Sequence, residues 1–267
     1  MPTIADIAEF LERFAPARLA AEWDNVGLLV GNGALPARRI MTCLTITGES
    51  VAEAVAEKAD LIVAHHPLPF RPLKRLTTGT PEGRNLLALI AGGVAVYSPH
   101  TAFDSAGRGI NQRLAEGNGL QNIAPLTADA VDPAIGTGRW GVLAEPASLE
   151  QLARSVARFL KIDALQVVNA LGDKVCIVAI ACGSAGELLA DARRLGCDAF
   201  VTGEARFHSC LEAEAIGINL VLAGHYATER FAVQQLADVL AAEFPGAAVW
   251  ASRRESDPLV AVSANCP

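Results

Sequence analysis

Short apolar runs rich in Val, Ile and Leu alternate along the chain with stretches whose apolar residues recur every three or four positions. That alternation is the pattern of strands and amphipathic helices in α/β units built around a mainly parallel sheet. Ile4, Ile7, Ala8 and Leu11 predict a first helix. Further on, the spacing predicts a strand over 39–47, a helix over 49–59, a strand over 60–66, a helix over 81–93, a strand over 94–100 and a helix from about 108 to 116. The order then recurs: strand 174–183, helix 185–196, strand 198–204, helix 209–217, strand 218–225, and a long helix from about 227 to 244. Between the two series lie an apolar stretch at 138–146, an amphipathic helix over 148–161 and a strand over 164–170.

The recurrence extends to particular residues. "ADLIVAHH" (59–66) aligns with "CDAFVTGEARFH" (197–208), and "GVAVYSPHTAFD" (93–104) aligns with "GINLVLAGHYATE" (217–229) after a one-residue slip. Any α/β chain repeats strand and helix, but chance does not place polar residues at the same strand ends in both series. The expectation is two similar α/β modules with mainly parallel sheets, residues 1–127 and 128–267, and a metal site in the cleft between them.

Composition narrows the class. With 267 residues, 51% of them hydrophobic, the chain has enough apolar surface for a large core. A formal net charge of −7 argues against non-specific duplex binding, which needs clustered Lys and Arg against phosphates. No apolar run approaches the roughly 18 residues of a membrane span, and the acidic N-terminal helix does not resemble a signal peptide, so a cytoplasmic protein without a membrane partner is expected. The six cysteines (Cys43, Cys176, Cys182, Cys197, Cys210, Cys266) form no C-x-x-C pair and read as small hydrophobes in a reducing compartment.

The chemistry collects at strand ends. All five histidines, His65, His66, His100, His208 and His225, lie at or shortly after the C-terminal end of a predicted strand, the edge at which open α/β sheets bind ligands. His100 and Asp104, Glu204 and His208, and His225 and Glu229 are each four residues apart, so on a helical turn each pair shares a face and can offer a nitrogen and an oxygen to one point. An acidic residue in a first helical turn also serves the macrodipole. Mixed His and carboxylate donors without thiolate suit divalent Zn, Mn, Fe, Co or Ni. Adjacent residues of extended backbone point to opposite sides, which predicts one metal ion for each imidazole of the doublet and a bridging carboxylate. Two ions about 3.5–4 Å apart are the arrangement of many hydrolases.

These motifs together resemble the Nif-three-like family, whose members are often labelled GTP cyclohydrolase I type 2 homologues. The matching stretches are "EWDNVGLLVG" (22–31), "AHHPLPF" (64–70), "PHTAFDSAGRGIN" (99–111), "TGEARFH" (202–208) and "GHYATE" (224–229). The resemblance implies a homohexameric ring with a dinuclear centre held by His65, His66, Asp104, His225 and Glu229, Glu229 being the bridge. It places His100 and His208 in the pocket.

The reaction expected is hydrolysis of a small molecule, of the cyclohydrolase or phosphoester kind and with a nucleotide as the candidate substrate. Water held by the metals attacks, Glu229 bridges the ions, and His100 or His208 relays the proton. A metallochaperone, regulatory protein or scaffold that holds ions without turnover is the alternative. Of the remaining features, Asp24 and Asn25 read as an Asx turn, with Trp23 free to wall the cleft. Arg71, Lys74 and Arg75 are the first candidates to meet a substrate phosphate. "CGSAGE" (182–187) reads as a tight turn, lacking a full phosphate-binding motif.

Overall fold

The computed structural model describes residues 1–260; Cys266 lies outside them. The chain adopts the α/β class read from its alternation and divides into two compact units, interleaved in sequence. The first holds Met1–Arg113, Thr127–Gly138 and Glu229–Glu255; the second holds Leu114–Leu126, Arg139–Thr228 and the described residues after Glu255.

In the first unit helix α1 (Ile4–Phe14) opens with a reciprocal cap between Thr3 and Asp6 and buries Ile4, Ile7 and Leu11. Strands β1 (Gly27–Val30), β2 (Arg39–Cys43), β3 (Leu61–Ala64) and β4 (Ala95–Ser98) alternate with helices α2 (Gly48–Ala56) and α3 (Pro81–Ala91). Two further helices follow, α4 (His100–Ser105) and α5 (Ile110–Gly117), the latter belonging to the second unit from Leu114 on. Strands β2, β3 and β4 run parallel, and β1 joins the β4 edge antiparallel. All four residues of β3 are buried, as a central parallel strand demands. A small ribbon of β6 (Thr127–Ala128) and β7 (Gly136–Thr137) also belongs to this unit.

The second unit builds a six-stranded sheet from β5 (Leu120–Ala124), β8 (Arg139–Ser148), β9 (Gln166–Val168), β10 (Lys174–Ala181), β11 (Ala199–Thr202) and β12 (Asn219–Leu222). Strands β10, β11 and β12 are parallel, with antiparallel partners added on both flanks. Helices α6 (Leu149–Leu160), α7 (Leu189–Arg194) and α8 (Phe207–Ile216) complete it. Helix α9 (His225–Glu243) then begins within the second unit and belongs to the first from Glu229 on, leading to β13 (Ala248–Ala251), which pairs parallel with β2.

One device recurs in each sheet. Asp60, just before β3, accepts the backbone N–H groups of Arg38 and Arg39 at 2.7 and 2.9 Å, and Asp198, just before β11, accepts those of Cys176 and Ile177 at 2.8 and 2.9 Å. Each carboxylate thus takes up donors just ahead of the residues at which the neighbouring strand begins its parallel pairing, and the two aspartates stand opposite each other in the alignment of the two series.

Strand β2 ends at Cys43, earlier than the apolar run suggests. The N–H groups of Leu44 and Thr45 are taken by the Glu255 carboxylate at 2.7 and 2.8 Å, so they cannot continue the ladder. A second buried carboxylate, Glu53 on α2, anchors the end of β13. It accepts from Ser252 Oγ (2.8 Å), Trp250 Nε1 (3.2 Å) and the N–H groups of Arg253 and Arg254 (3.1 and 3.2 Å). Burial raises the pKa of Glu53, but the donors outweigh it and hold it below its usual value.

A lowered folded pKa contributes stability that is complete above the unfolded value near about 4.3 and is lost as pH falls through the folded value. Glu53→Gln sets an NH2 against N–H donors, and it is expected to cost about 1–3 kcal/mol at neutral pH. In denaturant titrations the deficit should shrink below pH 4; a variant as stable as the parent at pH 7 contradicts this role.

Candidate metal centre

His65 and His66 follow the last residue of β3, but their N–H groups still bond to Cys43 O (2.9 Å) and Leu44 O (2.8 Å). Ser98 Oγ donates to His65 O at 2.6 Å. The doublet's backbone is therefore held by the carbonyls of Cys43, the last residue of β2, and Leu44 after it, and by the hydroxyl of Ser98, the last residue of β4. Because β3 ends at Ala64, strand alternation no longer governs the side chains. The two rings do not face apart as the extended-strand argument expects; they lie side by side, centroids 5.0 Å apart.

His100, the first residue of α4, brings a third ring to the same place, 5.1 Å from His65 and 5.5 Å from His66. Each of the three offers a nitrogen within 4.8 Å of the others. Asp104, one helical turn after His100, reaches 3.7 Å from His65 Nε2. Glu229, buried on α9, places Oε2 3.0 Å from His66 Nε2 and 3.8 Å from His65 Nε2.

The donor set fits a divalent cation. Ligands bound at about 2.0–2.1 Å in tetrahedral or octahedral geometry lie about 3.0–3.4 Å apart; the His66–Glu229 separation of 3.0 Å falls in that range, and the separations of His65 from Asp104 and Glu229, 3.7 and 3.8 Å, are a few tenths wider. A carboxylate oxygen and an imidazole nitrogen at 3.0 Å need a proton or a cation between them, since both carry lone pairs. Burial lowers the pKa of His66, opposed by its hydrogen bond to Glu229 and reinforced by the neighbouring His65 ring. The imidazole is thus neutral at pH 7, the form that ligates metals.

Supporting contacts fix the rings, and several were beyond the reach of sequence reading. Thr45 Oγ1 lies 2.7 Å from His66 Nδ1, directing Nε2 toward Glu229. Glu255, which holds the Thr45 N–H, also pairs with Arg230 at 3.0 Å, next to Glu229. Asp24 accepts the N–H of the next residue, Asn25, at 2.7 Å, not that of the residue two on as the Asx turn read from the sequence would. Its carboxylate meets His100 Nδ1 at 2.7 Å and accepts from the N–H and hydroxyl of Thr101. Burial raises the Asp24 pKa, yet these donors bring it down to about 2. Asp24 is ionised at neutral pH, so His100 Nδ1 donates the proton of their hydrogen bond. The His100 backbone, at φ 27°, is held in a sparsely populated conformation, a cost that tends to persist where surrounding contacts over-determine it.

In the second unit His225 opens α9, four residues before Glu229 on the same helix. Its Nδ1 meets Glu204 at 3.0 Å. Glu204 lies in the loop before α8, so its observed partner is His225, although its spacing suggests His208. His208 is exposed on the first turn of α8. A Cβ at Gly203 would come within 2.5 Å of Gly183 O and 2.9 Å of the His225 Cα; only glycine permits that approach.

The chain matches the family model Duf34/NIF3 (NGG1p interacting factor 3) over residues 2–258. It belongs to this family. Among relatives of the family, "GTP cyclohydrolase 1 type 2 homolog" of Clostridium perfringens is 32% identical over 224 residues, 84% of this chain and 86% of that one. "Protein NIF3 homolog" of Schizosaccharomyces pombe is 34% identical over 270 residues, 95% and 96% of the two chains. The Bacillus cereus protein related to NIF3 has a similar solved structure, with a TM-score of 0.89 and 25% identity over 98% of this chain and 99% of its own. Among the described residues of this NIF3 family chain, no helix is long and apolar enough to cross a membrane.

Metal binding at these donors should register as stability. Adding Mn²⁺ or Zn²⁺ to chelator-treated protein should raise its melting temperature, by about 2.7 kcal/mol of stability at a free ion concentration a hundredfold above Kd. His66→Ala should remove most of that gain. An unshifted melting curve for the parent protein contradicts a metal centre.

Proposed function

We propose that the chain is a metal-dependent hydrolase with two divalent ions, held by His65, His66, Asp104, His225 and Glu229, and with Glu229 bridging them. The observation that carries this reading is the position of Glu229 Oε2, within reach of both His65 Nε2 and His66 Nε2. His225 joins through the helix, one turn from Glu229. When bound, such ions supply Lewis-acid polarisation and a water acidic enough to act as nucleophile at neutral pH.

The protein's own groups supply the rest. His100 takes and returns the proton at Nε2, because ionised Asp24 keeps the Nδ1 proton in place. Thr45 and Glu255 hold the His66 side against displacement. His208, exposed on α8, has no step in this scheme. The substrate is a small molecule with a hydrolysable ring or phosphoester bond, and a six-copy assembly, tested by light scattering, belongs to the same reading.

Elemental analysis and turnover test it together. Glu229→Gln should lose at least one metal equivalent with the fold intact by circular dichroism. His100→Ala should keep both metals and lose about 10²–10⁴ in rate on any substrate found. If metal-loaded protein releases no product from a broad panel of nucleotides and phosphoesters, while its metal passes readily to an acceptor protein, the hydrolase reading fails and the metal-carrier reading replaces it.

A further inference from the structure

Beside the histidine cluster the first unit displays two large apolar side chains that the fold does not bury. Trp23 is 64% exposed and Phe70 is 40% exposed. They are in contact with each other, ring centroids 5.9 Å apart, and both meet His100, at 6.0 and 6.1 Å. Their exposure does not come from loose loops. Asn25 Nδ2 donates to Pro69 O at 2.7 Å, tying the Trp23 loop to the Phe70 loop, and Asp24 ties the same loop to His100 and Thr101. Two rigid aromatic rings presented to solvent at the edge of a polar centre are a surface made to be covered.

The charge beside Phe70 is one-sided, whereas Trp23 is flanked by Glu22 and by Asp24, whose carboxylate is taken up by Asn25, His100 and Thr101. Between Pro67 and Gly79 the chain carries Arg71, Lys74 and Arg75 and no Asp or Glu, in a protein of net charge −7. All three cations are exposed, and the Arg71 guanidinium lies over the Phe70 ring, 5.9 Å from its centroid.

We propose that Trp23 and Phe70 form a stacking platform for the planar ring of an anionic aromatic or heteroaromatic substrate, with Arg71, Lys74 and Arg75 meeting its charged group. The inference rests on the reading of the metal centre as the reactive site, and it identifies the substrate class that this site takes. Stacking explains why the rings are exposed and fixed, since an aromatic face binds any planar π-system, while the cations select for negative charge. His100, in contact with both rings, links the platform to the proton-transfer position.

Calorimetric titration of the metal-loaded full chain tests the platform without requiring turnover. The probes are AMP, GMP and adenosine, with ribose 5-phosphate as the ligand that lacks a ring. AMP or GMP should bind at least tenfold more tightly than ribose 5-phosphate. Trp23→Ala should weaken the nucleotide by roughly five- to a hundredfold, the span of a lost stacking contact, with Trp23→Phe restoring most of it and metal content unchanged in both. Arg71→Ala should weaken AMP several-fold and leave adenosine unaffected. Equal affinity for ringed and ringless ligands overturns the proposal, as does the absence of binding by every probe. A Trp23→Ala protein that changes its oligomeric state at unaltered affinity also overturns it and assigns the rings to a subunit contact. Selective binding without hydrolysis would remove the hydrolase reading and leave the platform standing; hydrolysis with no preference for a ring would do the reverse.

Discussion

A buried carboxylate beside imidazole nitrogens is the constraint around which the first unit is arranged. Glu229 has 3% of its surface exposed and lies within 4 Å of both His65 and His66. An uncompensated charge at such depth costs several kcal/mol, so positive charge must reach it from a proton or a cation. The fold responds by fixing the two imidazoles that face this carboxylate and the His100 ring beside them. Cys43 and Leu44 carbonyls hold the His65 and His66 backbones, Thr45 sets the His66 ring, and Asp24 sets the His100 ring on the other side.

The same economy explains where the strands stop. Strand β2 ends as the chain reaches the site because the N–H groups that would extend it are committed to the Glu255 carboxylate, while beyond β3 the N–H groups of His65 and His66 still bond to the carbonyls of Cys43 and Leu44 at the end of β2. Irregular backbone at the end of a parallel strand frees side chains from alternation. Adjacent histidines can then present their rings together, which a regular strand forbids. Glu255 is the hinge of this arrangement, since one carboxylate receives two backbone donors near His66 and an arginine next to Glu229.

Much of this was legible in the sequence, and the parts that were not share a cause. Alternating apolar runs located β3, β4, β11 and β12 to within a few residues, and the histidines and carboxylates at their ends pointed to the clustering of His65, His66, Asp104 and Glu229. Four-residue spacing correctly put His100 and Asp104 on one helix, and misled for Glu204, which precedes the helix carrying His208 and meets His225 instead. Contacts distant in sequence left no local sign. Asp24 meets His100 across 76 residues, and Glu53 holds Ser252 across 199. Strand β13 escaped notice because Ala248–Ala251 is a short, partly exposed edge strand with little apolar contrast to its surroundings.

The central claim is that Glu229 is the junction of two metal ions, and anomalous diffraction from crystals of manganese- or zinc-loaded protein tests it most directly. The account predicts two peaks at the metal edge, about 3.5–4 Å apart, both in contact with the Glu229 carboxylate and each with at least one imidazole of the His65 and His66 pair. A single peak away from Glu229, or none in crystals grown at saturating metal, would contradict it.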